Sequence, residues 1–122
     1  MLTSRMPSIR DIVAILSRRP GVEAALLVGR DGLLIDGEAA DQAGLEAVAA
    51  HLPALIGASA DLSAAIGRGH LISEILEFER GFAMVSTLTA DVALFVVLAP
   101  GADLPSIAGE VRRHRSHIAA IL

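Results

Sequence analysis

The sequence predicts an α+β fold in three layers, α/β/α, around a five-stranded antiparallel sheet, with elements in the order α-β-β-α-β-β-β-α. Three observations carry this. Val92 to Leu98 is apolar without alternation, so both faces of that strand need cover and it belongs mid-sheet. Three segments with helical spacing are available to cover it, the first and last on one face and the long middle one on the other. Finally, the 122 residues are 53% hydrophobic and 20% charged, enough to bury one core and too few for two, so a single domain spanning 1–122 is expected.

The first helix opens at Ser8, with Asp11 three residues later as a capping pair. Ile9, Ile12, Val13 and Leu16 recur at helical spacing until Pro20-Gly21, and Arg10, Arg18 and Arg19 make the outer face basic. Val22 to Val28 and Leu33 to Ile35 form a hairpin about Arg30-Asp31-Gly32, a turn that tolerates positive φ. Asp41 to Ile66 is alanine-rich and helical in pattern, although Pro53 removes a backbone donor and should kink or divide it. His70 to Glu79, Phe82 to Leu88 and Val92 to Leu98 read as a meander, separated by Arg80-Gly81 and Thr89-Ala90-Asp91. In the first of these strands Glu74, Glu77 and Glu79 punctuate the apolar residues, as in an edge strand or one that pairs with another chain. Asp103 caps a last helix with Leu104, Ile107, Ala108, Val111, Ile118 and Leu122 on one face.

The long middle helix is the informative element. Leu45, Val48, Leu52, Leu55, Ile56, Leu62 and Ile66 fall on one side and are expected to pack on the sheet. The other side holds Ala43, Ala47, Ala50, Ala54, Gly57, Ala58, Asp61 and Ala65, small residues that would let a second copy of the helix approach closely across a two-fold axis. Helix propensity alone also favours alanine on a solvated face. Such a face normally carries charge, however, and this one carries only Asp61, which favours an interface.

Composition narrows the chemistry. There is no cysteine, lysine, tryptophan or tyrosine, so disulfides, thiolate nucleophiles, Schiff bases and Walker-type lysines are excluded. A net charge of −4 and only three aromatics argue against nucleic acid. The longest uninterrupted apolar run, Val92 to Ala99, is far short of the ~20 residues of a membrane span, so no membrane insertion and a cytoplasmic location are expected. His114 and His117 lie one helical turn apart but lack a third metal ligand, and fit a basic helix end. His51 and His70 stand alone, and Ser59 lacks the final glycine of a nucleophile elbow. Gly67-Arg68-Gly69 follows a helix and precedes a strand, the reverse of the order for dinucleotide binding, and fits a helix cap and turn. No catalytic, cofactor-binding or metal-binding residue is therefore expected. Arg30, Arg68 and Arg80 occupy loop tips, from which an arginine can reach a partner's nucleotide site, although solvated turn arginines are the commoner outcome.

The element order and several stretches resemble the Roadblock domain family of dynein light chains and bacterial MglB-type polarity regulators. The carrying segments are Val22 to Ile35, the alanine-rich helix closing with Ile66-Gly67-Arg68-Gly69, Ile75 to Val85, and Leu94 to Leu104; Pro53 inside the helix departs from the pattern. The resemblance implies a non-enzymatic homodimer, joined by the long helices and by sheets meeting edge to edge. The expected self-contact is the small-residue stripe together with Ile72, Glu74, Leu76 and Phe78. It further implies a partner, a Ras-like small GTPase of the MglA kind, whose hydrolysis or position the dimer adjusts. Glu46, Ala50, Ala54, Gly57, Ala58 and Asp61, with Arg30, Arg68 and Arg80, are the expected contact residues. The competing expectation is an adaptor or self-assembling scaffold subunit indifferent to nucleotide.

Overall fold

In the computed structural model, which describes residues 8–122 and only the backbone of Ile9, helix α1 (Ile9–Ser17) opens with the expected capping box. The Ser8 backbone N–H donates to Asp11 Oδ2 at 2.9 Å, and Asp11 N–H donates to Ser8 Oγ at 3.2 Å. Strands β1 (Val22–Gly29) and β2 (Leu34–Ala39) form the first hairpin. Gly32, at φ +86°, takes the left-handed position of its turn, and Leu33 N–H donates to Asp31 Oδ1 at 3.0 Å. β2 thus starts one residue later and runs four residues further than the sequence suggests.

The middle helix divides, as Pro53 predicts, into α2 (Leu45–Ala50) and α3 (Leu52–Ala65), joined at His51, with Pro53 in the first turn of α3 where its missing N–H costs least. Residues 41–44 precede the helix, because Gly44 turns the chain at φ +85°; Ala43 is therefore not helical. At the far end, Gly67 N–H donates to the Ala64 carbonyl and Arg68 N–H to the Ser63 carbonyl, with Gly67 at φ +68°. This is a Schellman cap, so the glycines around Arg68 end a helix.

β3 (Ser73–Phe78), β4 (Gly81–Thr87) and β5 (Val92–Leu98) follow as the meander, and α4 (Leu104–Ala120) closes the chain from its Asp103 cap. His70 to Ile72, expected in the strand, lead into it instead. Sheet order is β2-β1-β5-β4-β3, all antiparallel, so β5 is central and β3 is an edge.

Alternation along the three inner strands builds two cores. Ala25, Leu27, Met84, Leu94, Val96 and Leu98 pack beneath α1 and α4, against Ile12, Val13, Leu16, Ile107, Val111 and Ile118. Ala24, Leu26, Val28, Ala83, Val85, Ala93 and Phe95 pack beneath α2 and α3, against Leu45, Ala49, Leu52 and Ile56. Each fully buried Leu or Val stabilises by roughly 1.5–3 kcal/mol through removal from water. Arg19 does not stay on a free basic face: its Nη1 pairs with Glu110 Oε2 at 2.6 Å and its Nη2 donates to Ser106 Oγ at 2.9 Å, tying the end of α1 to α4. Leu122, assigned by spacing to the inner face of the last helix, lies beyond α4 and is exposed.

The β3–β4 turn depends on Gly81, which sits at φ +136° with its Cα against the Leu98 carbonyl, leaving no room for a Cβ. Gly81→Ala is expected to cost about 2 kcal/mol or more. Urea unfolding reads this directly; an unchanged midpoint would contradict the turn geometry.

Candidate interaction surface

The outer side of the α2–α3 layer is apolar and uncovered. Ala47, Ala50, Ala54, Gly57, Ala58, Asp61 and Ala65 are all exposed, as is Ala43 in the loop before them. The larger residues behave differently from expectation. Leu45, Leu52 and Ile56 pack on the sheet and Leu55 is half-buried, but Val48 is 36% exposed, Leu62 62% and Ile66 57%. Their place inside is taken by Ala49, which is wholly buried. The reason is angular: the inward line runs Leu45, Ala49, Leu52, Ile56, whereas Val48, Leu55, Leu62 and Ile66 form a neighbouring line that turns away from it.

Two exposed strips therefore lie side by side, one of small residues and one of large aliphatics, and the helix is apolar almost all round. A helix of that kind is normally buried on every side. By length and composition, Leu45–Ala65 is long and apolar enough to cross a membrane, with mean hydropathy 1.2 and 17% of its apolar window buried. Uninterrupted apolar runs alone miss this stretch, because Glu46, His51 and Asp61 break the run without lowering its mean hydropathy far enough. The inner side of α2–α3 is committed to the sheet, so the demand for cover comes from the outer side.

The edge strand β3 adds a second open surface on the same side of the sheet. Its register places Glu74 opposite Val85 and Leu76 opposite Ala83, both facing the α2–α3 layer, and Leu76 packs against that core. Phe78 is exposed in line with Glu74 and Leu76, whereas Ile75, opposite Met84, is exposed on the α1–α4 side, and Ile72 is exposed just before the strand. Glu74 Oε2 is removed from water yet has no hydrogen-bond partner among the described residues, an acceptor that a donor from outside would satisfy.

The remaining candidates separate. Arg30 and Arg68 lie at the end of the sheet that carries the β1–β2 and β4–β5 turns, whereas Arg80, in the β3–β4 turn, lies at the opposite end. The three cannot reach one point on a partner. Glu46 is exposed in the first turn of α2, on the same layer as the small-residue strip. His114 and His117 border an apolar groove of about 280 Å³ between α1 and α4, and no group of three or more metal-ligating side chains occurs among the described residues. His51 and His70 are exposed, and Ser59 is half-buried on α3.

The face assignment predicts opposite outcomes for two truncations. Ile56→Ala is expected to destabilise the protein by about 2–5 kcal/mol, and Leu62→Ala to cost the isolated protomer less than about 0.5 kcal/mol. Chemical unfolding on an Ala58→Glu background separates them; equal losses would place Leu62 in the core.

A family model described as Roadblock/LC7 domain matches residues 9–99. Among curated proteins no sequence match was found. In structure, the chain is similar to MglB of Myxococcus xanthus, with a TM-score of 0.85, 17% identity and 93% of each chain covered. It is similar also to an MglB described as having a tetrameric arrangement, with a TM-score of 0.85 and 19% identity over 99% of this chain and 92% of that one. A Roadblock/LC7 domain from Streptomyces avermitilis matches with a TM-score of 0.82 and 20% identity, covering 93% of this chain and 97% of the other. At these identities the structural likenesses establish the fold, and the match of the family model across β1 to β5 and both middle helices establishes that the chain belongs to the Roadblock/LC7 family.

Proposed function

We propose that this protein is a cytoplasmic, non-enzymatic homodimeric module of one domain that binds a Ras-like small GTPase of the MglA kind and adjusts its hydrolysis or its position. The observation that carries the reading is the outer side of α2–α3, a helical layer that stays apolar along its length although it is uncovered. A two-fold axis normal to the sheet beside β3 joins two β3 edges antiparallel and sets both α2–α3 layers on one side. The small-residue strip with Ile72, Glu74, Leu76 and Phe78 is the surface assigned to self-contact. MglB-like structures, one of them described as tetrameric, support self-association.

The GTPase contact is assigned to the rim of the paired helices, around Glu46, Ala50, Ala54, Gly57, Ala58 and Asp61, with Arg30 and Arg68 at one end and Arg80 at the other. Acceleration of hydrolysis then needs no reactive side chain from this chain: holding the GTPase's own catalytic groups in place lowers the entropic part of the barrier.

Two experiments test the reading. Ala58→Glu puts a charge into the self-contact and is expected to convert the dimer to a folded monomer in size-exclusion chromatography with light scattering; an unchanged dimer removes α3 from the interface. Pull-down with an MglA-type GTPase is expected to favour one nucleotide state by tenfold or more, equivalent to about 1.4 kcal/mol. Equal capture of the GTP-analogue and GDP forms would instead favour the adaptor or scaffold reading.

A further inference from the structure

We propose that a cleft at the end of the sheet binds a small organic oxyanion, a molecule bearing phosphate or carboxylate groups, between Arg30 and Arg115. The cleft measures about 830 Å³ and is walled by the last turns of α3, the loop after it, the β4–β5 turn, the β1–β2 turn and α4. That is a volume typical of pockets for small ligands.

Its charge is one-sided. Arg30, His70 and Arg115 line it and no aspartate or glutamate does, in a protein whose acidic residues outnumber its arginines by fourteen to ten. The Arg30 side chain makes no ion pair or hydrogen bond among the described residues, while its backbone N–H is fixed to the Asp91 carbonyl at 2.8 Å. Arg115 is held in place from one side. Its Nε donates to the Thr87 carbonyl at 2.7 Å and its Nη2 to Thr87 Oγ1 at 3.2 Å. The Thr87 hydroxyl, itself buried, donates in turn to the Leu71 carbonyl at 2.7 Å.

The guanidinium is thus pre-oriented while its Nη1 has no acceptor among the described residues. A planar fork in that state matches a phosphate or carboxylate in bidentate fashion, and pre-orientation reduces the entropy lost on binding. Leu71 and Leu88 give the cleft an apolar floor, which favours an organic anion over a bare inorganic one. The cleft lies outside the α2–α3 strip and needs no second protein; it shares Arg30 with one end of the proposed GTPase contact, and because anion binding is read on this chain alone, its failure is distinguishable from failure of that contact.

Isothermal titration calorimetry on the purified full chain at low ionic strength tests this with four probes: pyrophosphate, GMP, citrate and malonate. Saturable binding of at least one probe is expected. Preference for the first pair identifies a phosphate ligand and for the second pair a carboxylate ligand. Arg30→Gln, whose side chain supports nothing in the fold, is expected to weaken binding about tenfold or more, and Arg115→Lys to weaken it similarly because a point charge replaces the fork. Arg68→Gln, outside the lining, is the control for diffuse charge and should leave affinity unchanged. Absence of heat with all four probes up to about 10 mM, or equal weakening by Arg68→Gln and Arg30→Gln, would overturn the proposal.

Discussion

The fold rests on a central strand with no polar face. Because β5 is apolar on both sides, the sheet must be sandwiched, and each covering layer must supply an apolar face of its own. The α1–α4 layer meets this with ordinary amphipathic helices whose outer sides carry Arg10, Arg18, Arg112 and Arg113. The α2–α3 layer meets it with a helix that continues to be apolar on its far side. The same sequence that closes the core therefore opens a second apolar surface, and folding of one chain leaves it unsatisfied.

That asymmetry organises the rest of the molecule. The edge strand β3, with exposed Phe78 and a Glu74 oxygen that has no partner among the described residues, borders the same side. Pro53 divides the long helix without disturbing its inward line, since Leu45 and Ala49 before the break and Leu52 and Ile56 after it reach one core. Gly32 approaches this junction so closely that a Cβ there would lie 3.2 Å from Pro53 Cγ and 3.5 Å from Ala50 Cα, so the first hairpin packs beside the break. Charge is displaced to the periphery, and the basic cleft at one end of the sheet is chemically distinct from the apolar layer.

Much of this is legible in the residues. Strand order within the meander, the hairpin turn at Asp31-Gly32, the Ser8–Asp11 capping box and the helix cap at Gly67 follow from local rules that tertiary packing does not overrule. The difference lies in breadth. Seven large aliphatics on one side of the long helix suggest one inward face, but the sheet accepts only a narrow line, and Ala49 fits it where Val48, Leu62 and Ile66 do not. Nor could spacing show that Arg30, His70, Thr87 and Arg115 line one cleft, because their proximity is a product of strand pairing across the whole chain. Spacing likewise places Arg19 on a basic outer face but not its partner, because Glu110 is ninety-one residues away.

Amide hydrogen exchange compares the two sheet edges within one protein and so addresses the central claim most directly. If two copies share the α2–α3 layer and the β3 edge, the outward amides of Ser73 to Phe78 exchange slowly at working concentration and faster on dilution, while those of the free edge β2 exchange fast throughout. Equal and concentration-independent exchange along β2 and β3 would mean that the apolar layer faces water or some other partner, and the two-copy account would fail.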